Sequence, residues 1–123
     1  MAKILIIEDN LLILELLDMV LKPRGHEIVF TIDGSKALGL ALANHPDLII
    51  LDIMLPHMDG YGVQNALLQD GKTKDIPVLV VTSKPQVQDL FKTAPNVHGI
   101  LHKPFSVKEL TQKVDSVLKS QVP

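Results

Sequence analysis

The chain has no cysteine and no tryptophan, and its three Phe and one Tyr make up only 3% of 123 positions. Without cysteine there is no disulfide and no thiolate metal centre. So few aromatic rings provide no stacking platform for single-stranded nucleic acid. Neither sign of charge dominates: 12 Lys+Arg stand against 14 Asp+Glu, and the formal net charge of −2 gives no pull toward a polyanion. No apolar run reaches bilayer-spanning length, and Met1-Ala2-Lys3 leads straight into a strand pattern without a signal peptide. The expectation is a cytoplasmic protein with no direct nucleic-acid or membrane partner.

What is present is 46% hydrophobic and 21% charged, ordinary for a globular protein, and the length suits one domain over 1–123. Strand and helix patterns alternate. Strands are expected at Lys3–Ile7, about Glu27–Thr31, Leu48–Leu51, Val78–Val81 and near Val97–His102. Three of them are continuously apolar, as when helices cover both faces of a sheet. The first helix opens after Asp9-Asn10, both good caps, and stops near Pro23-Arg24-Gly25. A second opens at Asp33-Gly34-Ser35. A third runs from about Tyr61 to Gln69, after a loop in which Gly60 is free to take a positive φ. Pro85 and Pro95 bracket a short fourth helix, and Ser106 with Glu109 forms a capping box for the last. Five strands and five helices predict an α/β doubly wound (βα)5 fold, with a five-stranded parallel sheet in the flavodoxin-like order 2-1-3-4-5. A closed eight-fold barrel needs about twice this length.

Polar residues end four of the strands: Glu8-Asp9, Asp52, Thr82-Ser83 and Lys103. In a parallel sheet these ends share the edge where ligands bind. Three carboxylates at close range raise one another's pKa unless a cation joins them, and oxygen-only ligands favour a hard ion such as Mg²⁺. A cation on one Asp52 oxygen leaves the other to attack phosphorus. The Lys103 ammonium and the Thr82 hydroxyl can contact phosphoryl oxygens, and each part serves phosphoryl transfer. Taken singly, the parts have plainer readings. Asp9 can cap the first helix, Lys103 can be a solvated lysine, and Thr82 a turn residue. Their common placement on one edge favours the joint reading.

The segments Ile6-Ile7-Glu8-Asp9-Asn10, Pro46–Pro56 with Met58-Asp59-Gly60, Pro77–Thr82 and Lys103-Pro104-Phe105 together resemble a response-regulator receiver domain of two-component signalling, over essentially the whole chain. The resemblance implies that Asp52 accepts phosphate from a histidine kinase or histidine phosphotransfer protein. It implies Mg²⁺ on Asp9, Asp52 and the Met54 backbone carbonyl, with Glu8 acting through water. Thr82 and Lys103 would hold the phosphoryl group, and the peptide bond before Pro104 would be cis. The domain would then take part only in its own phosphorylation and dephosphorylation, rather than act as an enzyme on other substrates.

The chain departs from that pattern in places. Receivers usually carry Tyr or Phe three residues before the lysine, where this chain has Ile100, stiff and without a hydroxyl, so the switch position is altered. Ser83 stands where a small residue, commonly alanine, is usual, a mild change, and Met54 and Lys84 occupy positions that in the family influence water access to an acyl phosphate. The atypical fourth helix puts a standard dimer in doubt, leaving a monomer or weak dimer. In the first helix Ile13, Leu16, Leu17, Val20 and Leu21 suffice for the core. Leu11 and Leu14 are then expected at the site edge, where an apolar pair would dock a partner helix. The alternative is that they only widen the core stripe. His98 and His102 are four apart but flank a strand, so the histidines are read as surface or loop residues, with His57 nearest Asp52 in sequence.

The expected function is a stand-alone phosphorylation switch or phosphate shuttle, possessing a downstream protein target. The chain's end at Gln121-Val122-Pro123 motivates that expectation and would equally result from excision out of a larger regulator. A phosphorylation-independent interaction module on the same fold is the alternative. A phosphatase acting on external substrates is disfavoured, because Met54 stands where its second aspartate would.

Overall fold

The computed structural model describes residues 2–54, 60–84 and 94–120. Strands β1 (Lys3–Ile7), β2 (Glu27–Thr31), β3 (Leu48–Asp52), β4 (Val78–Thr82) and β5 (Val97–His102) alternate with helices α1 (Leu11–Leu21), α2 (Ala37–Asn44) and α3 (Gly60–Gln69), and α4 (Val107–Lys119) closes the chain. Every strand pair is parallel, in the order β2-β1-β3-β4-β5. The doubly wound sheet expected from the alternating pattern is what forms. The expected helix after Pro85 and the loop carrying His57, Met58 and Asp59 lie outside the described residues. Among the described residues no helix is long and apolar enough to cross a membrane.

Successive strand residues point to opposite faces, and the sequence supplies apolar side chains to both. Ile4, Ile6, Ile50, Leu79 and Val81 pack with Leu14, Leu17 and Leu21 of α1 and with Leu110, Val114 and Val117 of α4. Leu5, Ile7, Ile49, Leu51 and Val80 pack instead with Ala37 and Ala41 of α2 and with Val63 and Leu67 of α3. The helix ends are set locally. The Asn10 side chain caps α1, a 3-10 turn containing Pro23 follows it, and the reciprocal Ser106–Glu109 capping box opens α4.

Two expectations are corrected here. Leu14 is no exposed docking residue: it is 7% exposed and continues the i, i+3, i+7 stripe of Leu14, Leu17 and Leu21 into the core. The exposed apolar pair at the start of α1 is Leu11 with Leu12, at 67% and 76%. Gly60 does not adopt a positive φ; it opens α3 in helical conformation. Its glycine identity answers a close approach instead. A Cβ there would collide with the Ile53 backbone and lie 2.8 Å from the Asp52 carbonyl oxygen. The Gly60 N–H donates to the Ile53 carbonyl at 2.7 Å, tying α3 to the residue after Asp52.

Candidate functional site

The chain runs from β1 outward to β2, then returns to lay β3 on the other side of β1. That reversal opens a crevice beyond the carboxyl ends of β1 and β3, the place where open parallel sheets bind ligands. Ile7 and Leu51 pair in register, so Glu8 and Asp52 are the next residues on the two neighbouring strands. Glu8 is 1% exposed and Asp52 4%, while Asp9 lies on the solvent side. One oxygen from each of the three falls within 4.8 Å of the others, and no other such acidic or histidine cluster occurs among the described residues.

The two oxygens of Asp52 are held differently. Oδ1 accepts the Met54 N–H at 3.0 Å. Oδ2 lies 3.3 Å from the Lys103 ammonium, which also reaches Glu8 Oε1 at 3.1 Å. Lys103 arrives there from β5 because its N–H donates to the Thr82 carbonyl at 2.7 Å, which fastens the end of β5 to β4. The Lys103–Pro104 bond is cis. Thr82 is buried, and its hydroxyl accepts the Lys84 N–H at 3.0 Å, which leaves the hydroxyl proton available to donate. The residues singled out at four strand ends therefore share one rim, with Asp52 at its centre.

Asp9 does not serve as the helix cap. Asn10 does: its side-chain oxygen accepts the N–H groups of Leu12 and Ile13 at 2.9 and 3.2 Å. The plainer reading of Asp9 fails on that geometry. The sequence offers Asp9 and Asn10 as caps alike, and the structure selects Asn10. Asn10 also donates its own N–H to Glu8 Oε2 at 3.1 Å.

Burial is the main cause that raises the Glu8 carboxyl to about 7, aided by a hydrogen bond and charge repulsion from Asp52; the Asn10 N–H and the Lys103 charge act the other way. Burial alone would lower the Lys103 ammonium, but the Glu8 and Asp52 carboxylates outweigh it and hold it above its ordinary value. Three clustered oxygen donors in such surroundings fit a hard divalent cation such as Mg²⁺. Ile100 sits opposite Val80 in register and packs, half-buried, against the α2–α3 core. It fills space there and brings no polar group to the switch position. His98 and His102 are exposed on β5.

This arrangement has counterparts. At 39% identity over 97% of its length, the chain is similar to the DNA-binding dual master transcriptional regulator RpaA of Synechocystis, and it spans only 50% of that protein. A putative response regulator of Chloroflexus aurantiacus has the same fold, with a TM-score of 0.89 at 31% identity, covering 96% of this chain and 98% of that one. A receiver domain of a Pseudomonas aeruginosa sensor histidine kinase, with magnesium in its active-site cleft, superimposes with a TM-score of 0.86 over 96% of this chain and 98% of its own; at 24% identity that likeness is one of fold. The profile of the response regulator receiver domain matches residues 4–115, which include every strand end of the crevice, and so the chain belongs to the receiver-domain family of two-component response regulators.

Proposed function

We propose that Asp52 is a phosphoacceptor. The observation that carries this reading is the environment of its carboxylate: buried at the crevice, with Oδ1 fixed by the Met54 N–H and Oδ2 facing Lys103. A carboxylate oxygen of Asp52 attacks phosphorus of a phosphohistidine on a histidine kinase or phosphotransfer protein. A P–O bond forms as the P–N bond breaks, and the proton needed by the leaving imidazole comes from solvent or the donor protein. Lys103 and the Thr82 hydroxyl are placed to receive phosphoryl oxygens, so that stabilisation comes from position and charge. Asp9, Asp52 and the Met54 carbonyl, with Glu8 through a water, would hold Mg²⁺, whose charge offsets that of the phosphoryl group. Hydrolysis of the acyl phosphate returns the carboxylate. The chain acts on itself and turns over no external substrate.

In this reading the domain is a cytoplasmic switch or phosphate shuttle whose phosphorylated form meets a downstream protein. The test is intact mass after incubation with acetyl phosphate and Mg²⁺. One added phosphoryl group is expected on the wild type and none on Asp52→Asn. An unmodified wild type, or a modification surviving in Asp52→Asn, overturns it.

Ile100 favours a second reading, an interaction module indifferent to phosphorylation, because an aliphatic residue packs where the family carries an aromatic switch. That reading expects identical partner binding with and without beryllofluoride.

A further inference from the structure

We infer that Asn10 is the positioning residue of the acidic cluster, acting on Glu8 and Asp9 through the backbone it fixes. The inference rests on the metal-site reading above and goes beyond it, since Asn10 contributes no ligand atom. Three atoms of Asn10 are engaged at once. Its side-chain oxygen accepts from Leu12 and Ile13, its carbonyl accepts the Leu14 N–H at 3.0 Å, and its N–H donates to Glu8 Oε2. The first two atoms lock the start of α1. The third grips a carboxylate that is 1% exposed at the crevice floor.

Asp9 lies between these two anchors. A helix start leaves unpaired N–H groups that demand a side-chain acceptor, and aspartate supplies one as readily as asparagine. Were Asp9 to answer that demand, its carboxylate would turn onto α1 and leave the crevice. With Asn10 as cap, the Asp9 oxygen stays within 4.8 Å of Glu8 and Asp52. Asparagine also caps without adding a fourth negative charge beside three carboxylates. The backbone at Asn10 is extended (φ −82, ψ 111), as a cap requires, so the Glu8 contact and the helix start follow from one local conformation.

The experiment is a Mg²⁺ titration followed by amide NMR shifts, including that of Met54, alongside thermal unfolding in EDTA. Asn10→Ala removes the cap and Asn10→Ser restores an acceptor of shorter reach. Ser106→Ala removes the cap of α4, remote in sequence from the cluster, as a matched control for lost helix stability. Expected is a loss of about tenfold in Mg²⁺ affinity for Asn10→Ala, the scale of outer-sphere substitutions at metal sites. Asn10→Ser stays within about twofold of wild type and Ser106→Ala is unchanged, although both alanine variants melt at lower temperature. Wild-type affinity in Asn10→Ala, or an equal loss in Ser106→Ala, overturns the positioning role while leaving the metal site standing. No Mg²⁺ binding by the wild type overturns both.

Discussion

The Lys103 ammonium lies 3.3 Å from Asp52 Oδ2 although β4 separates the strands that lead to them. The same ammonium is 3.1 Å from Glu8 Oε1, so one flexible side chain bridges the ends of β1 and β3 from beyond β5. A compact charge on a four-carbon stem can follow an incoming phosphoryl group where a planar guanidinium would be more constrained.

Removing that charge leaves two buried carboxylates without their counter-ion. Lys103→Met should therefore destabilise the metal-free protein by about 1–3 kcal/mol near neutral pH, below the roughly 3–5 kcal/mol for breaking fully buried pairs because the lysine keeps some solvent contact. Saturating Mg²⁺ should recover most of the loss, since a divalent cation neutralises the same carboxylates. Urea unfolding in EDTA and in Mg²⁺ measures both. A change below about 0.5 kcal/mol in EDTA would mark Lys103 as an ordinary surface lysine.

Glu8 sets a pH dependence of known sign. Its carboxyl is raised from 4.5 to about 7 in the folded chain, so the folded state binds the proton more tightly than the unfolded one. The resulting stabilisation is full below about pH 4.5, declines as pH rises, and is gone above about pH 7. Glu8→Gln mimics the protonated form at every pH. In EDTA the variant should match wild type at the acid end and exceed it by up to about 3 kcal/mol at about pH 8. Equal stability of the two at both pH values would refute the shift.

Much of this was legible in the sequence because it depends on period and position. Apolar runs such as Leu48–Leu51, ended by Asp52, place a carboxylate at a strand terminus, and parallel topology gathers such termini on one edge. Ser106 with Glu109 spelled its capping box outright. Phase and tertiary approach were not legible. Eight of the eleven residues of α1 are leucine, isoleucine or valine, so composition does not say which stripe faces the sheet, and Leu14, expected at the site edge with a wider core stripe as the alternative, lies in the core. For Gly60 the sequence signalled conformational freedom, whereas the cause is a neighbouring backbone that no local pattern reveals. Glu8 looked like one carboxylate of an adjacent pair, and its burial beside Asp52, which raises its carboxyl, is a tertiary effect.

The Gly60 contact makes a substitution expectation. Helix propensity alone would make Gly60→Ala stabilising by up to about 1 kcal/mol. The added methyl group instead meets the Ile53 backbone and the Asp52 carbonyl oxygen, and neither can rotate away as a side chain would. Overpacking of this kind costs about 1–3 kcal/mol net. Chemical denaturation should show that loss, with the Met54 amide resonance shifted because Asp52 is displaced. A gain in stability would mean that α3 can move aside freely.

The two leucines expected to act together at the site edge should part company on truncation. Leu14 packs with Leu17, Leu21 and the sheet residues Ile4 and Ile6, so Leu14→Ala leaves a cavity and should cost about 2–4 kcal/mol. Leu11 is 67% exposed, and Leu11→Ala should change stability by no more than about 0.5 kcal/mol. If a phosphodonor helix does dock on the first turn of α1, Leu11→Ala should slow phosphotransfer from that protein while phosphorylation by acetyl phosphate proceeds at the wild-type rate. Equal slowing by both donors would place the effect in the crevice, and unchanged transfer from the protein donor would remove Leu11 from the docking surface.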